Sequence, residues 1–213
     1  MAAQTPDVPS GLGRERVAAF TDAILAIAIT LLVLEIPRPG ASDLPDLAGF
    51  LAEQVSSFFA FVVTFLVLWQ VWRAHHRLFD QIERLSGPLV AAHVPLLIFA
   101  VLLPYGTTVF GLADEATGQD AGTALAVGLL AGNVTAVLVS QALLVSLVLR
   151  QGLRRPGTDL ARLRSDAWVG WTIGLYWAAT TVACVWIAGV VPYLWLASPV
   201  VGHVAHTLTG RRR

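Results

Sequence analysis

The sequence contains no lysine and one cysteine, Cys184, among 213 residues, and only 13% of the residues are charged. A lone cysteine cannot close an internal disulfide and has no companion for a zinc site, so Cys184, set in an apolar run, is assigned to packing. His93, His203 and His206 are widely spaced without nearby carboxylates, a poor metal set, and read as packing or interfacial residues. No Ser-His-Asp order, paired carboxylates or glycine-rich phosphate loop falls on a plausible framework. Enzymatic chemistry, a bound metal and a cofactor are therefore not expected.

What the chain has is apolar length. Hydrophobic residues make up 56% of it, the formal net charge is zero and the mean hydropathy is positive. That excludes an ordinary soluble domain and a disordered chain, and predicts an all-α integral membrane protein. Residues 1–13 contain Pro and Gly and few apolar side chains, and read as a flexible tail. Residues 14–209 read as one six-helix membrane domain, with spans at about 17–36, 55–72, 88–110, 123–149, 168–188 and 191–208, followed by a short basic end at 210–213.

Breakers and charges set these boundaries. Pro37-Arg-Pro-Gly40 stops the first span and Ser86-Gly-Pro88 opens the third, which contains Pro95 and Pro104 and should kink against protein. The loop before the fourth span holds Asp114, Glu115 and Asp120. Ala124, Gly128, Gly132, Ala136 and Ser140 recur every fourth residue, and Gly170 and Gly174 repeat the spacing, which marks close helix–helix packing. The apolar run from Trp168 to Leu208 is about twice a bilayer crossing, with a natural turn at Gly189-Val-Val-Pro192.

All positive charges are Arg, and their placement carries information. In a six-span threading thirteen fall on one side: Arg14 and Arg16, then Arg73, Arg77 and Arg84, then five between Arg150 and Arg164, and three at the carboxyl end; Arg38 is alone opposite. The positive-inside rule puts both termini in the cytoplasm, and topology accounts for the Arg-rich loops without nucleic acid. Arg14 and Arg16 before an apolar run resemble a signal peptide, but Asp22 and Glu35 inside the segment and the spans beyond it argue for its retention.

The first span is the unusual one. A lipid anchor needs no carboxylate, yet Asp22 and Glu35 lie within it, and an ionised group at mid-bilayer costs on the order of 3 kcal/mol. At about 100° per residue, Phe20, Ala23, Ile27, Thr30, Leu31 and Leu34 share one face. Asp22 lies about 140° from Ile27, and Ile29 and Val33 also fall off the stripe.

Arg16, Phe20, Thr21 and Asp22 resemble the Arg-x-x-x-Phe-Ser-Asp signature of prokaryotic relatives of transmembrane protein 175, the lysosomal potassium channel, with Thr21 in place of Ser. Ala26-Ile-Ala-Ile-Thr-Leu-Leu-Val-Leu34 is similar to the rest of the first helix in those proteins. Trp72-Arg-Ala-His-His-Arg77 resembles the family's second-helix Trp-x-x-His motif, and Leu102-Leu-Pro-Tyr105 with Thr107 its third helix. The resemblance implies a cell-membrane channel of a bacterium or archaeon, a homotetramer whose pore is lined by the first helix of each chain and passes chiefly potassium. It implies a constriction at Ile27, with Thr30 one turn on and Leu31 and Leu34 completing the pore stripe, and a helix-positioning network of Asp22, Trp72 and His75, with Arg16 at its edge.

No Thr-Val-Gly-Tyr-Gly filter is present, so selectivity would fall to an apolar constriction and hydroxyls. The competing reading is a secondary or proton-coupled transporter, which calls for broken helices, inverted repeats and an ionisable residue near mid-membrane. Asp22 and Glu35 sit toward opposite ends of their helix and no repeat is visible, which weakens it. A structural or assembly protein would account for the small-residue stripes but not for Asp22.

Overall fold

The computed structural model describes residues 13–112 and 121–210. The acidic residues Asp114, Glu115 and Asp120, the tail to residue 12 and Arg211, Arg212 and Arg213 lie outside them. Helix α1 spans Arg14–Leu31 and tightens into a 3-10 turn, Leu32–Glu35. It ends there because Ile36, ahead of Pro37, is driven into extended backbone (φ −78°, ψ 124°).

A short α2, Leu47–Glu53, capped by Asp46 accepting from the Gly49 N–H, leads into α3, Val55–Gln81. Helix α3 continues past the apolar run through His75, His76 and Arg77, since no Pro or Gly interrupts it and His76 faces Asp80 one turn on at 3.9 Å.

The third apolar stretch begins as α4, Gly87–Ala91, and resumes as α5, His93–Gly111. Pro95 sits in the first turn of α5, where its missing N–H costs least, so the break falls ahead of it at Ala92. Pro104 lies inside α5 and is buried. Its neighbours Thr107 and Thr108 return their hydroxyls to the carbonyls of Leu103 and Pro104, at 3.0 and 3.2 Å.

Helix α6, Ala121–Gln151, and α7, Leu160–Ile187, form the most intimate pair. A β-carbon built on Gly170 would lie 3.3 Å from the Ala142 β-carbon, and one on Gly174 would lie 3.2 Å from a Val139 methyl. The small residues let the two backbones approach, and a Thr135–Thr181 contact of 3.1 Å ties them. Ala142 has no rotamer through which to retreat. Gly170→Leu is therefore expected to overpack this seam and cost about 1–3 kcal/mol, read as a lowered thermal midpoint of the detergent-solubilised protein.

The chain returns through α8, Val191–Trp195, and α9, Ser198–Gly210. The break between them precedes Pro199, which has no N–H to bond the Trp195 carbonyl. Among the described residues, five helical stretches are long and apolar enough to cross a membrane, ending with α7. The sixth stretch expected at 191–208 is split into helices of 5 and 13 residues. It nevertheless runs back along α7: Tyr176 Oη donates to Leu194 O at 2.5 Å, Trp177 Nε1 to Ser198 Oγ at 3.1 Å, and Ser165 and Thr209 hydroxyls meet at 2.7 Å.

One end of the bundle gathers the Arg-bearing segments. Arg14 donates to Phe79 O at 2.7 Å, Ile82 and Arg154 form an antiparallel bridge, and Arg155 donates from its backbone to Gln81 O and from Nε to Ile82 O. Ser86 Oγ donates to Gln151 Oε1 at 2.5 Å.

Candidate functional site

Helix α1 packs against α3 and α5 through Val17, Thr21, Leu25, Ala28 and Leu32, all buried. Its opposite face is bare. Phe20, Ala23, Ile27, Thr30, Leu31 and Leu34 are all exposed, Ile27 by 58% and Phe20 by 61%. Interleaved with the large side chains are Ala19, Ala23 and Ala26, also exposed.

Helix α7 is also widely bare, but there Leu175, Val182, Val185 and Trp186 are large and apolar, as a lipid-facing surface requires. The α1 face carries small residues and a hydroxyl among its large side chains and, at its start, exposed Arg16. Thr30 donates its hydroxyl hydrogen to Ile27 O at 2.8 Å, which leaves the oxygen lone pairs directed outward as acceptors. At the far end Thr108 on α5 donates to the Glu35 carboxylate and ties the 3-10 turn to the bundle.

Behind α1 lies a buried polar cluster whose bonding differs from the expected network. His75 Nε2 meets His93 Nε2 at 3.3 Å, and His93 Nδ1 meets Leu89 O at 2.7 Å. A carbonyl only accepts, so His93 Nδ1 carries the hydrogen. With both rings neutral, His93 Nε2 is then the acceptor and His75 Nε2 the donor, leaving His75 Nδ1 with a bare lone pair.

That atom, Thr21 Oγ1 and Asp22 Oδ1 are buried without a hydrogen-bond partner among the described residues. An Asp22–His75 bond would set two acceptors against each other. Trp72 makes no bond to Asp22 either; it stacks on Trp69 and on His76, with ring centroids 4.9 and 5.7 Å apart. The expected Asp22–Trp72–His75 hydrogen bonds are thus replaced within one chain by the His75–His93 pair. His93, assigned from sequence to packing, is a member of this cluster. The signal for it was position: on antiparallel neighbouring spans, His75 and His93 sit equally close to the loop that joins them.

The fold and this site define a multispanning membrane protein whose first helix leaves one apolar, hydroxyl-bearing face uncovered and backs it with buried polar atoms. Residues 16–104 match the family model described as the endosomal/lysosomal potassium channel TMEM175.

A potassium channel of Streptomyces collinus is 38% identical over 92 residues, 43% of this chain and 45% of that protein. A potassium channel of a Chryseobacterium species is 33% identical over 101 residues, 47% and 50% of the two chains. The endosomal/lysosomal proton channel TMEM175 of Bos taurus is 34% identical over 108 residues, 47% of this chain and 22% of the relative. The aligned segment thus spans half or less of the length of these curated relatives, which are named as ion channels and not as enzymes.

The fold extends further than the sequence match. The crystal structure of a lysosomal potassium-selective channel TMEM175 homologue from Chamaesiphon minutus superposes with a TM-score of 0.70 at 22% identity, covering 93% of this chain and 97% of that one.

Proposed function

We propose that this protein is a potassium-permeable cation channel, assembled as a homotetramer with α1 of each chain lining a central pore. The observation that carries the reading is the uncovered α1 face: Ile27, Thr30, Leu31 and Leu34 exposed on a helix whose other side is fixed in the bundle. Symmetric copies meeting through Ala19, Ala23 and Ala26 would bring these faces around one axis and form a path between them.

In that arrangement Ile27 forms an apolar constriction that closes by dewetting, because an ion cannot cross it without losing its hydration shell. Thr30, one turn away, presents hydroxyl lone pairs to a permeating cation. Asp22 positions α1, its second carboxylate oxygen taking a donor supplied on assembly, with Arg16 at the pore mouth.

The chain would cross the membrane six times, the last time as the broken α8–α9 helix, with both termini in the cytoplasm of a bacterial or archaeal cell. Two observations support this threading: α8–α9 return along α7 to the Ser165–Thr209 contact, and the Arg-bearing loops meet at that same end.

The test is flux from liposomes loaded with potassium and containing the purified protein. Passive efflux that follows the potassium gradient is expected, and Thr30→Val, which keeps the shape but removes the hydroxyl, should change potassium preference over sodium by several-fold more than it changes total flux. Flux that requires a co-transported substrate would instead indicate a carrier, and no flux a structural protein.

A further inference from the structure

Away from α1, a cavity of about 300 Å³ opens between α3, α6 and α7 at the Arg-bearing end of the bundle. Its polar wall is built by Gln70, Arg73 and Arg77 of α3, Gln141 of α6 and Asp166 of α7. Gln70, Arg73 and Arg77 are spaced by three and four residues and so share one face of α3. Leu138 and Val145, which flank Gln141 on α6, and Ile173 of α7 supply an apolar wall that runs along the spans.

Gln141 is 6% exposed, and both its amide nitrogen and amide oxygen lack a hydrogen-bond partner among the described residues. A buried amide left unpaired in this way is destabilising and calls for a partner. The guanidiniums of Arg73 and Arg77 likewise form neither a hydrogen bond nor an ion pair among the described residues, where the one salt bridge is His76–Asp80.

Two guanidiniums against one carboxylate leave the cavity with an excess positive charge, and the fork of each guanidinium matches two phosphate oxygens. The cavity is also of the size that small ligands occupy. We propose that it binds a phospholipid head group, with the phosphate held by Arg73 and Arg77, a head-group hydroxyl or amine reaching Gln141 and Asp166, and an acyl chain along the apolar wall. The phosphate ester is the recognised chemistry. The lipid is favoured as its source because the cavity lies among membrane-spanning helices and joins a charged end to an apolar wall.

The experiment uses the full chain, delipidated in detergent, and measures binding of dioleoylphosphatidylglycerol by native mass spectrometry and by the shift of the thermal midpoint. Inorganic phosphate at the same concentration is the second probe. The lipid should bind and raise the midpoint, and phosphate alone should not.

Arg73→Gln with Arg77→Gln should weaken lipid binding by about tenfold or more, as loss of two charge-assisted contacts implies. Ala74→Phe, which fills the cavity and keeps both cations, should weaken it similarly. A photoactivatable phosphatidylglycerol should label the wild-type chain at Leu138, Val145 or Ile173, a readout that holds even where a variant does not fold.

Labelling confined to other helices, lipid affinity unchanged in folded variants, or a phosphate effect equal to that of the lipid would each overturn the proposal. Since these readouts are of binding, they stand apart from whether the protein conducts.

Discussion

Ile27→Ala is expected to raise cation flux through reconstituted protein by about tenfold or more and to weaken discrimination among monovalent cations, since each tenfold corresponds to only about 1.4 kcal/mol of barrier. In the proposed assembly the substitution removes branched side chains from a narrow ring, which would admit water where the parent would exclude it. The structure makes the variant informative, because Ile27 is 58% exposed in the single chain. Trimming it opens no cavity in the subunit's own core, so a change in flux would not be a disguised loss of folding.

The companion measurement is cysteine accessibility in a Cys184→Ser background, with cysteine placed in turn at Ile27, Thr30 and Leu34 and, as controls, at the buried Ala28 and Leu32. The first three should react with small thiol reagents and lose current; the controls should not. Reactivity that followed the Ala28 face, or blocked current only from another helix, would remove α1 from the pore.

Asp22→Ala is expected to act on assembly. In the isolated chain Asp22 Oδ1 is buried with no donor, so removing the carboxylate should leave the subunit's own thermal midpoint level or higher. In the proposed oligomer the other carboxylate oxygen, which is not among the buried atoms, would take a donor across the interface, worth about 1–3 kcal/mol per subunit. Light scattering after size exclusion should therefore show a smaller oligomeric fraction for Asp22→Ala at equal protein concentration, with Asp22→Asn intermediate because its amide oxygen still accepts. An oligomer profile indistinguishable from the parent's would sink this role for Asp22.

Much of this was legible in the residue order alone. The 3.6-residue periodicity of the first span separates the face bearing Ile27, Thr30 and Leu34 from the buried one, since side chains on a helix must sort by solvent. Val33, like Ala19 and Ala26, is exposed beyond the stripe. It falls off the stripe at 100° per residue yet is 52% exposed, because the 3-10 winding of Leu32–Glu35 advances each residue by about 120°. That tightening is not visible in hydropathy.

By itself, then, the sequence determined the membrane class, the helical character of the chain and the buried and exposed faces of α1, because composition, spacing and breakers act locally along the chain. The tertiary structure alone decided which polar atoms meet. His75 pairs with His93 and not with Asp22, Thr108 reaches Glu35, and Gln141 is stranded beside Arg73 and Arg77 in a cavity. Each of these depends on the rotation and depth of one helix against another, and a hydrogen bond is made or lost within about an ångström of that placement.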